Sequence, residues 1–162
     1  MPEGNHGVRG LKDLMFKKLS PLVYLLMSIL LTGALHLLLP MRELIPFPWR
    51  LTGVPLLLLG ILLDFLADQS LKRHVATVRP FAVSSALVTE GIYRVSRHPM
   101  YLGMILIMVA IAVLLGSLAA WLILPLFAIL LDARFIRTEE SMLEETFGEA
   151  YRRYRKVARR WI

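Results

Sequence analysis

MYLGMILIMVAIAVLLGSLAAWLILPLFAILL, residues 100–131, decides the fold. Apolar side chains fill 100–115 and again 118–131, and only the small pair Gly116-Ser117 separates the two runs. Each run approaches the roughly 17–25 residues that a helix needs to cross a bilayer's hydrocarbon. A two-residue turn between them permits an antiparallel helical hairpin and little else. Pro125 falls inside the second run, where a kink is tolerated if neighbouring helices absorb it. The helix is expected to continue past Leu131, so that the span covers about 118–136.

Working outward from this hairpin, two more apolar runs precede it. Residues 22–39 form one, closed by Pro40, and residues 51–67 form another. Between them Pro46, Pro48 and Trp49 read as a short turn with an interfacial aromatic anchor. His36, inside the first run, lacks a ligand partner at helical spacing and reads as a hydrogen-bonding residue, not a metal ligand. The pattern predicts an all-α fold: a polytopic membrane helical bundle of about four transmembrane helices, plus a C-terminal amphipathic helix over 138–156. It forms a single domain spanning 1–162. Composition agrees. Hydrophobic residues make up 57% of the chain and charged ones 19%, against about 45–50% and 25% in ordinary soluble domains.

The net charge of +7 is explained by an anionic inner leaflet. The interleaved basic and aromatic residues of a nucleic-acid face are missing outside the C-terminal tail. The absence of cysteine excludes disulfides, thiolate catalysis and cysteine metal ligands. Residues 1–20 read as a polar lead-in with an amphipathic turn at Leu11, Leu14, Met15 and Phe16, lying on the membrane surface. Lys12, Asp13, Lys17 and Lys18 and the lack of a small-residue cleavage site argue against a signal peptide, so the first run is expected to persist as a span. Only Arg42 and Arg50 among the 19 basic residues fall between the first two spans, and none falls at the Gly116 turn. The N-terminal segment, the 70–99 loop and the C-terminal segment are therefore expected on the cytoplasmic side, with both termini inside.

Asp64 and Asp68, at i and i+4 near the end of the second span, are read as a structural clamp with Lys72 or Arg73. The 70–99 loop is long for a compact bundle, and long loops are more often functional than idle. Its end, LVTEGIYRVSRHPMYLG (87–103), concentrates arginine, histidine and tyrosine at the mouth of a span. Read alone, it is a basic juxtamembrane loop with Pro99 starting a helix. The C-terminal stretch RTEESMLEETFGEAYRRYRKVARRWI carries an apolar stripe at Leu143, Phe147, Tyr151 and Tyr154, which explains most of it as a surface helix. That does not explain Glu139 and Glu140, two adjacent carboxylates where the fourth span leaves the bilayer. Both stretches lie on one side, so Arg97, His98 and Tyr101 can meet Arg134, Arg137, Glu139 and Glu140. Carboxylates, hydroxyls and arginines without an HExxH-type pair suit a zwitterionic or cationic cofactor and not metal hydrolysis. No G-x-S-x-G frame surrounds any serine.

The pattern L-V-T-x-G-x-Y-R-x-x-R-H-P-x-Y-x-G before a hairpin, followed by E-E-x-x-L and F-G-x-x-Y-x-x-Y, resembles the isoprenylcysteine carboxyl methyltransferase and phospholipid methyltransferase superfamily. These are integral-membrane enzymes that use S-adenosylmethionine. The resemblance covers about residues 84–161. It implies cofactor contacts at Leu87, Val88, Tyr93, His98, Pro99, Tyr101, Gly103, Glu139 and Glu140. Either Arg97 or His98 is the group expected to face the cofactor's carboxylate. It implies no metal, and an arginine near the substrate carboxylate that is either Arg134 or Arg137. His98 or a tyrosine is the candidate base if the acceptor is an amine and must lose a proton. The prenylcysteine enzymes have a histidine before the Leu-Val pair where this chain has Ser85-Ala86, which weakens transfer of that specificity. The implied reaction is methyl transfer to a lipophilic or lipid-borne acceptor at the cytoplasmic face, resting mainly on alignment and exclusion of water. Two alternatives stay open: a nicotinamide-dependent membrane reductase of the sterol-reductase type, and a non-enzymatic membrane scaffold. Ala110, Ala112, Gly116, Ala119 and Ala120 are small enough for close helix packing, but the sequence does not set the oligomeric state.

Overall fold

The computed structural model describes residues 6–39, 42–77 and 87–162, with side chains described over 21–39, 42–72 and 87–162. The described residues are overwhelmingly helical. Helix α1 runs His6–Leu38, α2 Gly53–Thr77, α3 Pro99–Leu115, α4 Leu118–Leu131, α5 Arg137–Phe147 and α6 Glu149–Val157. Among the described residues, three apolar segments are long enough to cross a membrane: Pro21–Leu38, Trp49–Lys72 and Leu118–Phe147. The shorter apolar α3, of 17 residues, stands at the lower limit of spanning length. Together they form an all-α membrane bundle. Only 17% of each of the first two windows is buried inside the protein. Leu26, Met27, Leu30, Leu58 and Phe65 face outward, as suits surfaces that hydrocarbon solvates as well as protein does.

Several boundaries differ from those the sequence suggests. Helix α2 continues ten residues past 67, because Asp68 and Lys72 form an i,i+4 ion pair that carries the helix into polar surroundings. The helix of the fourth span does not stop near 136 but runs on into α5. The expected 138–156 helix is divided at Gly148, where φ is +49°. The amphipathic side chains at Leu11, Leu14, Met15 and Phe16, the helix stop at Pro40, the Arg73 alternative of the clamp and the Ser85-Ala86 pair lie outside the residues so described.

The bundle has two distinct ends. At one, the connection between α1 and α2 is stitched to the α3–α4 turn. The N–H groups of Leu44 and Ile45 donate to the Gly116 carbonyl at 2.7 and 3.3 Å, and Leu118 N–H donates to the Arg42 carbonyl at 3.2 Å. Arg50 binds the Ile45 carbonyl at 2.7 Å and Glu43 at 2.7 Å. Gly116 has φ +65°, and a Cβ there would strike the Ile45 carbonyl at 2.6 Å. The expected turn therefore needs glycine on both counts.

Helices α2 and α3 form the most extensive helix pair. Small residues recur every seventh position on both: Gly53, Gly60 and Ala67 on α2, Gly103 and Ala110 on α3. A Cβ added at Gly60 would lie 3.0 Å from the Gly103 carbonyl, and one at Gly103 would lie 2.9 Å from the Gly60 carbonyl. This is backbone-to-backbone packing of the small-residue kind. Helix α4 packs between α1 and α3 around Leu25, Met104, Met108, Ile123, Phe127 and Leu131. These contacts fix the opposite end, where α2 leaves, α3 begins and α4 passes into α5.

Candidate active site at the charged end of the bundle

His98 precedes Pro99, the first residue of α3, where a proline fits because that N–H lacks a helical partner anyway. The chain before it is held by a parallel bridge to the C-terminal segment. Arg97 N–H donates to the Arg159 carbonyl at 2.9 Å, and Ser96 Oγ donates to the Arg160 carbonyl at 3.4 Å. The same Ser96 Oγ accepts from His98 N–H at 3.2 Å. His98 is thus oriented before any of its side-chain contacts are counted, and it is only 3% exposed.

The ring of His98 lies between the two glutamates, with Nε2 at 3.3 Å from Glu140 Oε1 and Nδ1 at 3.7 Å from Glu139 Oε2. Arg97 Nη2 approaches Glu140 Oε1 at 3.1 Å, and Arg160 Nη2 donates to Glu140 Oε2 at 3.0 Å. Glu140 therefore gathers three cationic or donor groups from segments far apart in sequence. Glu139 is about half exposed and lies close enough to Tyr101 to act on it electrostatically. The Tyr101 ring stacks obliquely 5.7 Å from His98 and 6.4 Å from Phe135, which in turn meets Tyr24 edge-on at 5.4 Å. The aromatic column ties α1, α3 and the turn after α4 to the polar cluster.

The remaining residues expected at the site surround this cluster or support it. Leu87 packs on Tyr151, Tyr154 and Ala158 of the α6 region, and Val88 is half-buried beside it in sequence. Tyr93 sits in the short turn Gly91–Arg94, and its carbonyl accepts the Tyr154 hydroxyl at 2.5 Å. Burial, with Glu139 second, pushes the Tyr93 phenol above its usual range, and burial pushes the Tyr154 phenol up to about 12. Gly103 lies against Asp64, whose carboxylate a Cβ would overlap. Asp64 thus faces α3 while Asp68 pairs with Lys72.

Arg134 and Arg137 separate clearly. Both are exposed, but Arg137 Nε donates to Asp132 Oδ2 at 2.8 Å, whereas the contact given to Arg134 is its carbonyl, which accepts from Thr138 at 3.2 Å. Residues Asp132–Ile136 form a π turn, with Arg137 N–H bonded to the Asp132 carbonyl. The five-residue hydrogen-bond spacing of that turn brings 132 and 137 together, a pairing that a regular helix would set well apart. Asp132 and Arg137 line an open groove of about 430 Å³ with Ile105, Ala128, Ile129, Ala133 and Trp161. The groove is lined by apolar residues apart from the Asp132–Arg137 pair.

Sequence reasoning missed Ser96, Asp132 and Arg160 and gave Trp161 no part in the site. Asp132 carried one signal, as the first ionisable residue after a long apolar run. Arg160 carried none, being one arginine in a basic tail.

A charged cluster at one end of an apolar helical bundle, with a groove along the bundle's side, marks the class of polytopic helical membrane proteins. Residues 49–150 match the phospholipid methyltransferase family, and the chain belongs to that family. It is 41% identical over 63 residues to an uncharacterized protein of Haemophilus influenzae, a match covering 39% of this chain and all of the other. It is 37% identical over 90 residues to the protein-S-isoprenylcysteine O-methyltransferase of Schizosaccharomyces pombe. That match covers 56% of this chain and 37% of the yeast enzyme. No solved structure matches the chain.

Proposed function

We propose that this protein transfers a methyl group from S-adenosylmethionine to a lipophilic or lipid-borne acceptor at the cytoplasmic membrane face, within one domain and with both termini cytoplasmic. The observation that carries the reading is the donor and acceptor set around Glu140. Arg97 Nε and Arg160 Nε are both buried without a hydrogen-bond partner among the described residues, although each arginine also pairs with Glu140. Buried N–H groups left open are costly unless a ligand supplies an acceptor. Beside them Glu139 offers a half-exposed carboxylate. The set fits an amino-acid end, with guanidinium donors for its carboxylate and glutamates for its ammonium.

When bound, S-adenosylmethionine supplies an electrophilic methyl on a sulfonium. The residues here bind, align and exclude water. Leu87, Val88, Tyr93, Pro99, Tyr101 and Gly103 form the packed surroundings of the His98–Glu140 cluster. His98 has each ring nitrogen turned toward a glutamate, which suits it to fix both carboxylates. An acceptor that arrives as an anion needs no base. Of the two arginines, Arg137 lines the groove, and the reading gives it the acceptor.

Calorimetric titration of detergent-purified protein with S-adenosylhomocysteine, and separately with NADPH, tests this. Micromolar binding of the first, lost in Glu139→Ala, is the expected result. Binding of NADPH alone would transfer the protein to the reductase reading, and binding of neither would sink the cofactor site.

A further inference from the structure

We propose that Arg160 is a positioning residue that couples the cofactor carboxylate Glu140 to the apolar groove, so that filling the one re-seats the lining of the other. This rests on the cofactor reading above. Arg160 gives one nitrogen to each of two carboxylates: Nη2 to Glu140 at 3.0 Å and Nη1 to Asp132 at 3.2 Å. Glu140 belongs to the His98 cluster and Asp132 to the groove lining. One guanidinium thus spans both compartments, and the next residue, Trp161, lines the groove itself.

Among the three groups on Glu140, Arg160 is the one able to yield. Its side chain is 34% exposed, against 10% for Arg97 and 2% for His98. It also keeps a second partner, Asp132, so moving it does not strand a buried charge. Its backbone is held through the Ser96–Arg159 bridge, which confines the motion to the side chain and to Trp161 beyond it. A ligand ammonium and the Arg160 guanidinium compete for Glu140. Once Glu140 is taken, Arg160 settles on Asp132, in the groove lining, and Trp161 is re-seated there. Two sites sharing one bridging residue are coupled in both directions.

The test uses the full-length chain with Trp49→Phe and Trp121→Phe. The chain has three tryptophans, so Trp161 becomes the sole indole. Neither replaced residue belongs to the site, and Trp121 Nε1 is buried without a partner, so its loss orphans nothing. Binding of S-adenosylhomocysteine is measured by calorimetry and Trp161 emission is recorded in the same titration. The expected result is an emission change that saturates along the binding isotherm. Arg160→Lys, which keeps the charge but reaches only one carboxylate, is read at saturating ligand, so that weaker binding is compensated, and should lose the emission change. Asp132→Asn, which removes the far anchor, should lose it too. Binding with unmoved Trp161 emission in the parent would overturn the coupling and leave the cofactor reading intact. A full emission change in Arg160→Lys would remove Arg160 from it. Absence of binding in the parent would overturn both.

Discussion

Replacing Glu140 by Gln tests whether one carboxylate holds the charged end of the bundle together. The substitution keeps the volume and removes the charge on which Arg97, His98 and Arg160 converge. At 3.1 Å and an effective dielectric of about 20, the Arg97–Glu140 attraction alone is about 5 kcal/mol before desolvation is subtracted. Breaking a buried pair from one side typically costs about 3–5 kcal/mol. Glu140 retains 18% exposure, so a net loss of about 3 kcal/mol is expected, near the lower end of that range. The order among neutral variants follows from what each strands. Glu140→Gln should cost most, because it leaves two guanidiniums facing each other. Arg97→Gln comes next, and Arg160→Gln costs least, since Arg160 is the most exposed partner. Equilibrium unfolding in mixed micelles measures all three. The Arg97/Glu140 double-mutant cycle should return a coupling within the roughly 0.5–3 kcal/mol seen for contacting residues. A loss below about 1 kcal/mol for Glu140→Gln, the size of an exposed pair, or a larger loss for Arg160→Gln, would refute the reasoning.

Gly103→Ala should destabilise the α2–α3 pair by about 1–3 kcal/mol, as over-packing does, because the new Cβ meets the Gly60 carbonyl at 2.9 Å as well as Asp64; the same unfolding assay reads it. Tyr154 has its phenol raised by burial from 10 to about 12, so the folded state holds a proton that the unfolded chain releases. Stability is then fully present below pH 10 and falls as pH rises from 10 toward 12. Tyr154→Phe should flatten that slope in a pH series of unfolding curves, and also cost about 1–3 kcal/mol for the stranded Tyr93 carbonyl. In a methyl-transfer assay, Arg137→Gln should lower kcat/KM by roughly 100-fold, as loss of alignment does, while Arg134→Gln stays within about twofold of the parent; equal effects would undo the assignment of Arg137 to the acceptor.

What the sequence disclosed and what it hid divide along a physical line. The spans were legible because hydropathy is a sum over many residues and tolerates local error. The Gly116 turn was legible for a similar reason, since a small-residue pair between two apolar runs leaves one outcome. Tertiary pairings between remote segments were harder. That Arg97, His98, Glu139 and Glu140 share one end followed from topology and charge placement. That Glu140 is the hub, with Glu139 at the rim, depends on side-chain directions which spacing does not give. Arg160 stayed invisible because a basic tail offers several arginines of equal apparent merit. Only the backbone bridge at Ser96 and Arg159 chooses among them.

The π turn after α4 shows how a local irregularity can serve the site. A regular helix from Leu118 to Phe147 would turn about 100° per residue, setting Asp132 and Arg137 on different faces. With the wider turn at Asp132–Ile136 the two share a face, and that face lines the groove. Glu140, three residues further on, returns to ordinary helical geometry and points to His98. The extra residue in the turn thus lets one continuous helix present Arg137 to the side groove and Glu140 to the end of the bundle. Deleting Ala133 would put Asp132 and Arg137 at i,i+4 of a regular helix, a spacing that still pairs them. The apolar span and the pair should both survive that deletion, whereas inserting a residue there should part the two. The span depends on length and hydropathy, whereas the site depends on register.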